Sequence, residues 1–171
     1  MNRRTWLTLA GGMVVLVTTG CGEAPPVMPK GAPTEEAEAA REVLREVLAG
    51  VGEGRSKALI EDGLIFLPSR WRRQAQEFKE LDALSEKLKG RGDRIELGEA
   101  RVGGRWAVVD FVRVDGELLG PAQAPWFLLY FGGRWRWMPI SIMKDPAVTG
   151  MMDGSFDRVY EGWKAKHADG G

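Results

Sequence analysis

The apolar residues of this chain change their spacing near Arg94, and that change limits the folds open to it. Before Arg94 they recur every three or four residues, as along one face of an α-helix. After Arg94 they alternate with other residues or stand in short runs, as in β-strands. A chain of 171 residues is long enough for one domain. The pattern therefore predicts a single domain in which helices come first and strands follow.

Three helices are predicted before this change of spacing. The first takes Thr34 as its N-cap and ends at Gly50 and Gly52. Its apolar stripe comprises Ala40, Val43, Leu44, Val47, Leu48 and Val51. A short second helix covers residues 56–60, and a third ends at Gly90. The apolar face of the third comprises Trp71, Ala75, Phe78, Leu81, Leu84 and Leu88. Each stripe predicts a helix that packs one face against the rest of the domain.

Four strands are predicted after the change of spacing. They cover residues 94–102, 105–114, 126–131 and 134–143. Gly103-Gly104 and Gly132-Gly133 indicate two-residue hairpin turns, whereas Asp115-Gly116 starts a longer connection. A short C-terminal helix follows, with an apolar face of Phe156, Val159, Tyr160 and Trp163. The strands therefore form an antiparallel meander.

Helices followed by an antiparallel sheet predict an α+β domain with its helices on one face of the sheet. The opening helix pair, the strand at 105–109 and the closing segment 132–137, with its two tryptophans, resemble the NTF2-like (cystatin-superfamily) α+β cone. More closely, they resemble small bacterial lipoproteins of that superfamily whose domains have no assigned role. The resemblance covers roughly residues 34–143. It implies that the N-terminal helices pack on a curved four-stranded antiparallel sheet, often around a pocket.

The N-terminus reads as an export signal. Arg3 and Arg4 precede an apolar run at residues 6–17, which is shorter than the ~20 residues of a membrane-spanning helix. Gly20 then precedes Cys21, the only cysteine. This arrangement resembles a bacterial lipoprotein signal, although Thr18 stands where leucine or valine is usual. An ordinary secretion signal is the alternative.

The lipoprotein resemblance implies cleavage after residue 20 and acylation of Cys21, which anchors the chain to a membrane. Gly22, rather than aspartate, implies the outer membrane of a Gram-negative cell, with the domain facing the periplasm. Residues 2–7 also resemble a twin-arginine export signal, so the export route stays open. Residues 21–33 contain four of the nine prolines and predict an extended tether. The single domain is expected at residues 34–171.

Asp110 and Tyr130 are the candidate catalytic residues. Alternation places Asp110 on one face of its strand with Trp106, Val108 and Val112. Desolvation among such neighbours disfavours the charged carboxylate, as a general base at neutral pH requires. Tyr130 would donate a hydrogen bond to a developing oxyanion. The alternative is an Asp110 at the sheet edge or paired with an arginine such as Arg113 or Arg136.

Aromatic residues of the later strands are the candidate ligand-binding residues. They are Trp126, Tyr130, Trp135 and Trp137. Aromatic walls bind apolar ligands, but such residues also form the cores of small domains. In the segment 134–137 the alternation predicts buried tryptophans and solvent-exposed arginines.

Composition excludes several other functions. The numbers of basic and acidic residues are equal, which argues against nucleic-acid binding. One cysteine and one histidine, His167, argue against a metal site, and no cofactor is expected.

Three functions remain. The first is a non-enzymatic, lipid-anchored cell-envelope domain that binds an envelope protein or a small apolar ligand. The second is an isomerase or dehydratase with Asp110 as its base. The third is a structural docking protein whose C-terminal helix exposes Phe156, Tyr160 and Trp163.

Overall fold

The computed structural model describes residues 26–71, 76–120 and 124–168, and the side chains of residues 76–79 are outside the description. The predicted signal peptide, Cys21 and the first part of the tether lie outside the described residues, as do Ala75 and the Phe78 side chain. Residues 26–32 form no helix or strand. None of the helices within the described ranges is long and apolar enough to cross a membrane.

Five α-helices lie within the described ranges. They are α1 (Pro33–Gly52), α2 (Ser56–Glu61), α3 (Gln76–Leu88), α4 (Pro146–Thr149) and α5 (Gly154–Ala168). The prediction of Thr34 as the N-cap of α1 is wrong, because Pro33 already occupies the first helical position, where its fixed φ suits the helix. The Glu35 and Glu36 carboxylates accept hydrogen bonds from the N–H groups of Ala32 and Gly31. These carboxylates bind main-chain N–H groups just before the helix, whereas the predicted hydroxyl cap would accept from N–H groups inside its first turn.

Within the described residues, seven strands form two antiparallel sheets. They are β1 (Ile95–Leu97), β2 (Ala100–Gly103), β3 (Trp106–Val109), β4 (Val112–Val114), β5 (Glu117–Leu118), β6 (Trp126–Phe131) and β7 (Arg134–Met138). The first sheet has four strands in the order β2-β3-β6-β7, and the second has three in the order β1-β4-β5. The α+β class is confirmed.

The prediction of two long continuous strands at 94–102 and 105–114 is wrong, because both are interrupted at the same level. Leu97 pairs with Val112 and Ala100 with Val109, so the register is unchanged across the interruption. Between these pairs, the Gly98 N–H donates to the Phe111 carbonyl (2.9 Å), and the Asp110 N–H donates to the Glu99 carbonyl (3.0 Å). In a regular antiparallel ladder, alternate residues of a strand form the hydrogen bonds to the neighbouring strand. Here the adjacent residues Gly98 and Glu99 both form them, which interrupts the ladder. The β1–β4 and β2–β3 pairs are therefore two parts of one interrupted hairpin, and each part belongs to a different sheet.

The prediction that Asp115-Gly116 starts a longer connection is also wrong. These residues form a two-residue turn that pairs Val114 with Glu117. Their positive φ angles, 54° and 81°, are those of a type I′ hairpin turn, which Asp-Gly strongly favours. The predicted Gly132-Gly133 turn is confirmed, whereas the first turn lies one residue later than predicted, at 104–105.

The last predicted strand is too long, because it ends at Met138 rather than Met143. Pro139 follows, and proline has no N–H to donate to a strand ladder. Ile140–Ile142 forms a 3₁₀ turn instead.

The helices cover both faces of the four-stranded sheet, so the prediction that they share one face is wrong. Trp106 pairs with Leu129 and Trp135 with Tyr130, which places Trp106 and Trp135 on opposite faces. The Trp106 ring packs on Phe156 of α5 at 5.0 Å between centroids. The Trp135 indole N–H donates to Glu36 of α1 at 2.9 Å. Every residue of β3 is apolar and buried, as in a strand covered on both sides.

Candidate functional site

An apolar cavity of about 300 Å³ lies between α3 and one end of the four-stranded sheet. We call it the α3 cavity. Its lining from α3 comprises Glu80, Ala83, Leu84 and Lys87, and its lining from the sheet and the neighbouring loops comprises Leu119, Gly120, Ala124, Pro125, Trp126, Trp137, Met138 and Ile140. The volume is at the lower end of the range for small-molecule sites. Of the described residues that line it, only Glu80 and Lys87 are charged.

The four candidate ligand-binding residues separate into two pairs. Trp126 and Trp137 line the α3 cavity, with ring centroids 5.7 Å apart and ring planes inclined by 30°. Tyr130 and Trp135 pack edge to face at 5.3 Å near the opposite end of β6, and neither lines the cavity. All four lie on the face of the sheet that α1 covers. The structure therefore brings two of the four candidates to a cavity.

Burial of the later tryptophans follows the predicted alternation. Trp135 and Trp137 are each 3% exposed, while Arg134 is exposed and Arg136 is half-buried. The prediction of buried tryptophans is thus confirmed, and that of solvent-exposed arginines holds fully for Arg134 and partly for Arg136. The interleaved arginines and tryptophans do not form a common surface for stacking on bases.

Asp110 lies at the interruption between the two sheets, and its side chain is only 1% exposed. Its Oδ2 accepts a 2.5 Å hydrogen bond from the Lys166 ammonium of α5, and the Arg101 guanidinium is 3.9 Å away. Its partners are therefore these two residues rather than Arg113 or Arg136, which contact the Phe111 and Phe131 rings. Lys166 is 56 residues from Asp110 in the sequence, so no local pattern indicates the pair.

The charged groups around Asp110 attract one another, and this attraction shifts the pKa of two of them. Hydrogen bonds to Asp110 and then to Glu99 raise the pKa of the Lys166 ammonium. The same ammonium, 2.7 Å from Glu99, lowers the pKa of that carboxyl. The Arg101 guanidinium also donates to the Gly162 carbonyl of α5. This cluster fixes α5 against the edge of the sheet.

The structure does not bring Asp110 and Tyr130 together. Val109 pairs with Trp126, and the Tyr130 N–H bonds to the Arg105 carbonyl, so the two residues lie near opposite ends of the β3–β6 pair. That separation is about 17 Å along the strands. The pleat also directs their side chains to opposite faces of the sheet. The two groups cannot act on one small substrate in this arrangement.

The apolar face of the C-terminal helix is packed rather than exposed. Phe156, Val159 and Trp163 are buried, and Tyr160 is half-buried against Phe127. The exposed aromatic face that the docking hypothesis requires is therefore not present on α5.

Several cavity residues could not be found by sequence reasoning alone. Leu84 lies in the predicted apolar stripe of the third helix, but that stripe indicates only a packed helix face and not a cavity. Lys87, Met138 and Ile140 carry no pattern that distinguishes them from ordinary surface or core residues. Within the described ranges, no three His, Cys, Asp or Glu side chains are grouped as metal ligands.

No protein-family model matches the chain, and the searches of curated proteins and of solved structures gave no significant match.

Proposed function

We propose that this chain is a lipid-anchored protein of the bacterial cell envelope that binds a small apolar molecule in the α3 cavity. The apolar cavity beside Trp126 and Trp137 is the observation that carries the proposal. In the same proposal the domain is an NTF2-like cone, and α1, which precedes the four-stranded antiparallel sheet and packs on it, supports this part. Cys21 carries the acyl chains, and the proposed location is the outer membrane, with the domain facing the periplasm.

The lining supports an uncharged or largely apolar ligand. Leu84, Leu119 and Met138 offer hydrocarbon and thioether surface, and Trp126 adds a ring that is only partly buried. Contact with an apolar ligand removes this surface from water, which stabilises the complex by about 25 cal/mol per Å². Catalysis is not part of the proposal, because Asp110 and Tyr130 are separated.

Titration with N-phenyl-1-naphthylamine, an uncharged apolar fluorophore, tests the cavity. We expect its emission to rise on binding to the protein. Ala83→Trp fills the cavity from α3 and should abolish the rise. Asp82→Trp adds the same side chain at a neighbouring exposed position outside the lining, so it should bind like the wild type. Equal binding by both variants would contradict the proposed site.

Membrane fractionation of a Cys21→Ala variant tests the anchor. The wild-type protein should be in the membrane fraction and the variant in the soluble fraction, because acyl chains supply the membrane affinity. Unchanged fractionation of the variant would remove the anchor from the proposal and leave the cavity result intact.

A further inference from the structure

We infer that the end of the domain from which the tether departs is itself a lipid-contacting surface, directed at the membrane by exposed apolar side chains and basic groups. This inference rests on the proposed anchor. We call this end the tether end and define it by Val27, Met28, Lys30, Phe131 and Arg134.

The tether reaches the domain at the β2–β3 turn. A Cβ atom placed on Gly104 of this turn would lie 2.8 Å from the Met28 Cε. Residues 21–25, which connect Cys21 to the described chain, span at most about 17 Å when extended. A connection this short keeps the tether end, rather than the opposite end, close to the site of acylation.

The β6–β7 turn lies at the same end of the sheet. The Tyr130 N–H bonds to the Arg105 carbonyl beside the β2–β3 turn, and Phe131 pairs with Arg134 across the β6–β7 turn. The two turns are therefore separated only by the spacing of neighbouring strands, about 5 Å for each strand. Phe131 and Met28 therefore lie at the same end of the sheet.

Three of the five large apolar side chains that are exposed within the described ranges lie at the tether end, and the other two are Leu118 and Ile140. Val27 is 58%, Met28 47% and Phe131 44% exposed. The Phe131 ring is supported from one side by Phe66 at 5.6 Å in an edge-to-face contact. An aromatic ring held at a hairpin turn in this way is suited to the headgroup region of a bilayer, where the apolar ring leaves water.

Charge complementarity favours an anionic lipid surface. The exposed Arg134 donates to the main-chain carbonyl of Asp62, a bond that leaves its positive charge available, and Lys30 is also exposed. Two acidic groups at this end are engaged in the domain, since Glu36 accepts from Gly31 and Trp135, and Asp153 pairs with Arg105. Asp62, whose main-chain carbonyl accepts the Arg134 bond, is exposed. Basic groups near an anionic bilayer are attracted to its negative surface potential.

The orientation has a consequence for the α3 cavity. Trp126 and Phe131 are the two ends of β6, and the cavity lies at the Trp126 end. The two ends are about 17 Å apart along the strand, so the cavity lies away from the tether end. The cavity ligand would therefore arrive from the aqueous side rather than directly from the anchoring membrane.

Site-directed spin labelling of the processed, full-length mature protein in vesicles tests the orientation. Phe131→Cys carries a nitroxide at the tether end, and Leu118→Cys, in the β4–β5 hairpin at the opposite end, is a matched control because Leu118 is 47% exposed and does not line the α3 cavity. The only natural cysteine is Cys21, whose acylated thiol does not react with the label. In vesicles of phosphatidylglycerol and phosphatidylethanolamine, the label at 131 should lose access to a water-soluble nickel chelate, while the label at 118 keeps it.

The outcomes distinguish this inference from the proposed anchor. Equal nickel access at both positions in protein that floats with the vesicles would overturn the lipid-contacting surface and leave the anchor standing. Protein that fails to float, or whose Cys21 takes the label, would overturn both. Arg134→Gln should restore nickel access at position 131 in anionic vesicles, and an unchanged profile would remove the electrostatic part of the inference.

Discussion

The Lys166 ammonium lies 2.5 Å from the buried Asp110 carboxylate and joins the last part of α5 to the interruption between the two sheets. Lys166 also bonds to Glu99 at 2.7 Å, and the Trp163 indole N–H donates to the Asp110 carbonyl at 3.4 Å. These contacts connect residues that are more than fifty positions apart in the chain. They make α5 part of the domain core and not an appended helix.

Lys166→Met should destabilise the domain by about 2 kcal/mol, because it leaves Asp110 charged and buried with only Arg101 nearby. Lys164→Met is the matched control. The Lys164 side chain is 44% exposed against 42% for Lys166, and it pairs with Glu161 on the surface of the same helix. We expect no measurable change for this control. Urea unfolding followed by tryptophan fluorescence gives both values, and equal values would contradict a special role for the Asp110–Lys166 pair.

The contribution of Lys166 should disappear at high pH. Its bonds to Asp110 and Glu99 raise its pKa in the folded state above the value of about 10.4 for an unfolded chain. The stabilisation is therefore complete below that unfolded value and is lost as the pH rises through the folded pKa. The difference in unfolding free energy between wild type and Lys166→Met should be constant from about pH 7 to 9 and should shrink above about pH 10.4. A difference that persists unchanged at high pH would exclude an ionic origin.

Gly103→Ala should destabilise the domain by about 1–3 kcal/mol through overpacking. A Cβ atom at this position would lie 2.7 Å from Val159 Cγ1 and 3.1 Å from the Ser155 carbonyl oxygen, where α5 crosses β2. Gly154→Ala is the control, because a Cβ atom there meets nothing within 4 Å. Thermal unfolding of the two variants side by side is the measurement. A Gly103→Ala protein as stable as the control would mean that α5 does not approach β2 this closely.

Asp145→Asn should destabilise the protein at neutral pH but not at low pH. Asp145 caps α4 through the Ala147 N–H and accepts bonds from the Trp71 indole and the Arg70 guanidinium. Burial raises the pKa of this carboxyl, but these three donors outweigh it and hold the pKa below its ordinary value.

The sign of this effect follows from the lowered pKa. The stabilisation by Asp145 is present above the unfolded pKa of about 3.9 and is lost as the pH falls through the folded value. The melting temperatures of wild type and Asp145→Asn should therefore converge below about pH 4. Asp82→Asn, at an exposed position of α3, should match the wild type throughout. Curves that stay apart in acid would rule out the ionised carboxylate as the source.

Local signals predicted much of the fold. The apolar stripes located α1 and α3, and the alternation at 134–137 correctly separated buried tryptophans from Arg134. The Gly132-Gly133 turn was predictable because both residues adopt positive φ, which glycine permits without strain. The Asp115-Gly116 turn carried an equally strong signal, but the prolines and glycines of the following stretch, 116–125, suggested a longer loop.

Other features depend on contacts between distant segments. The interruption at Gly98 places the Phe111 ring where a side chain at 98 would stand, since a Cβ atom at that position would lie only 2.9 Å from Phe111 Cδ1. Neither residue marks a strand end by itself. The burial of β3 on both faces was visible in its unbroken apolar run, yet only the packing of α5 explains it. The α3 cavity needs the relative position of α3 and β7, which no periodicity specifies.

Mass spectrometry of the protein isolated from its native membrane tests the lipid anchor most directly. The account predicts a mature chain that begins at Cys21 and carries a diacylglyceryl group on the cysteine sulfur. A free thiol at position 21, or a chain that still contains residues 1–20, would contradict it.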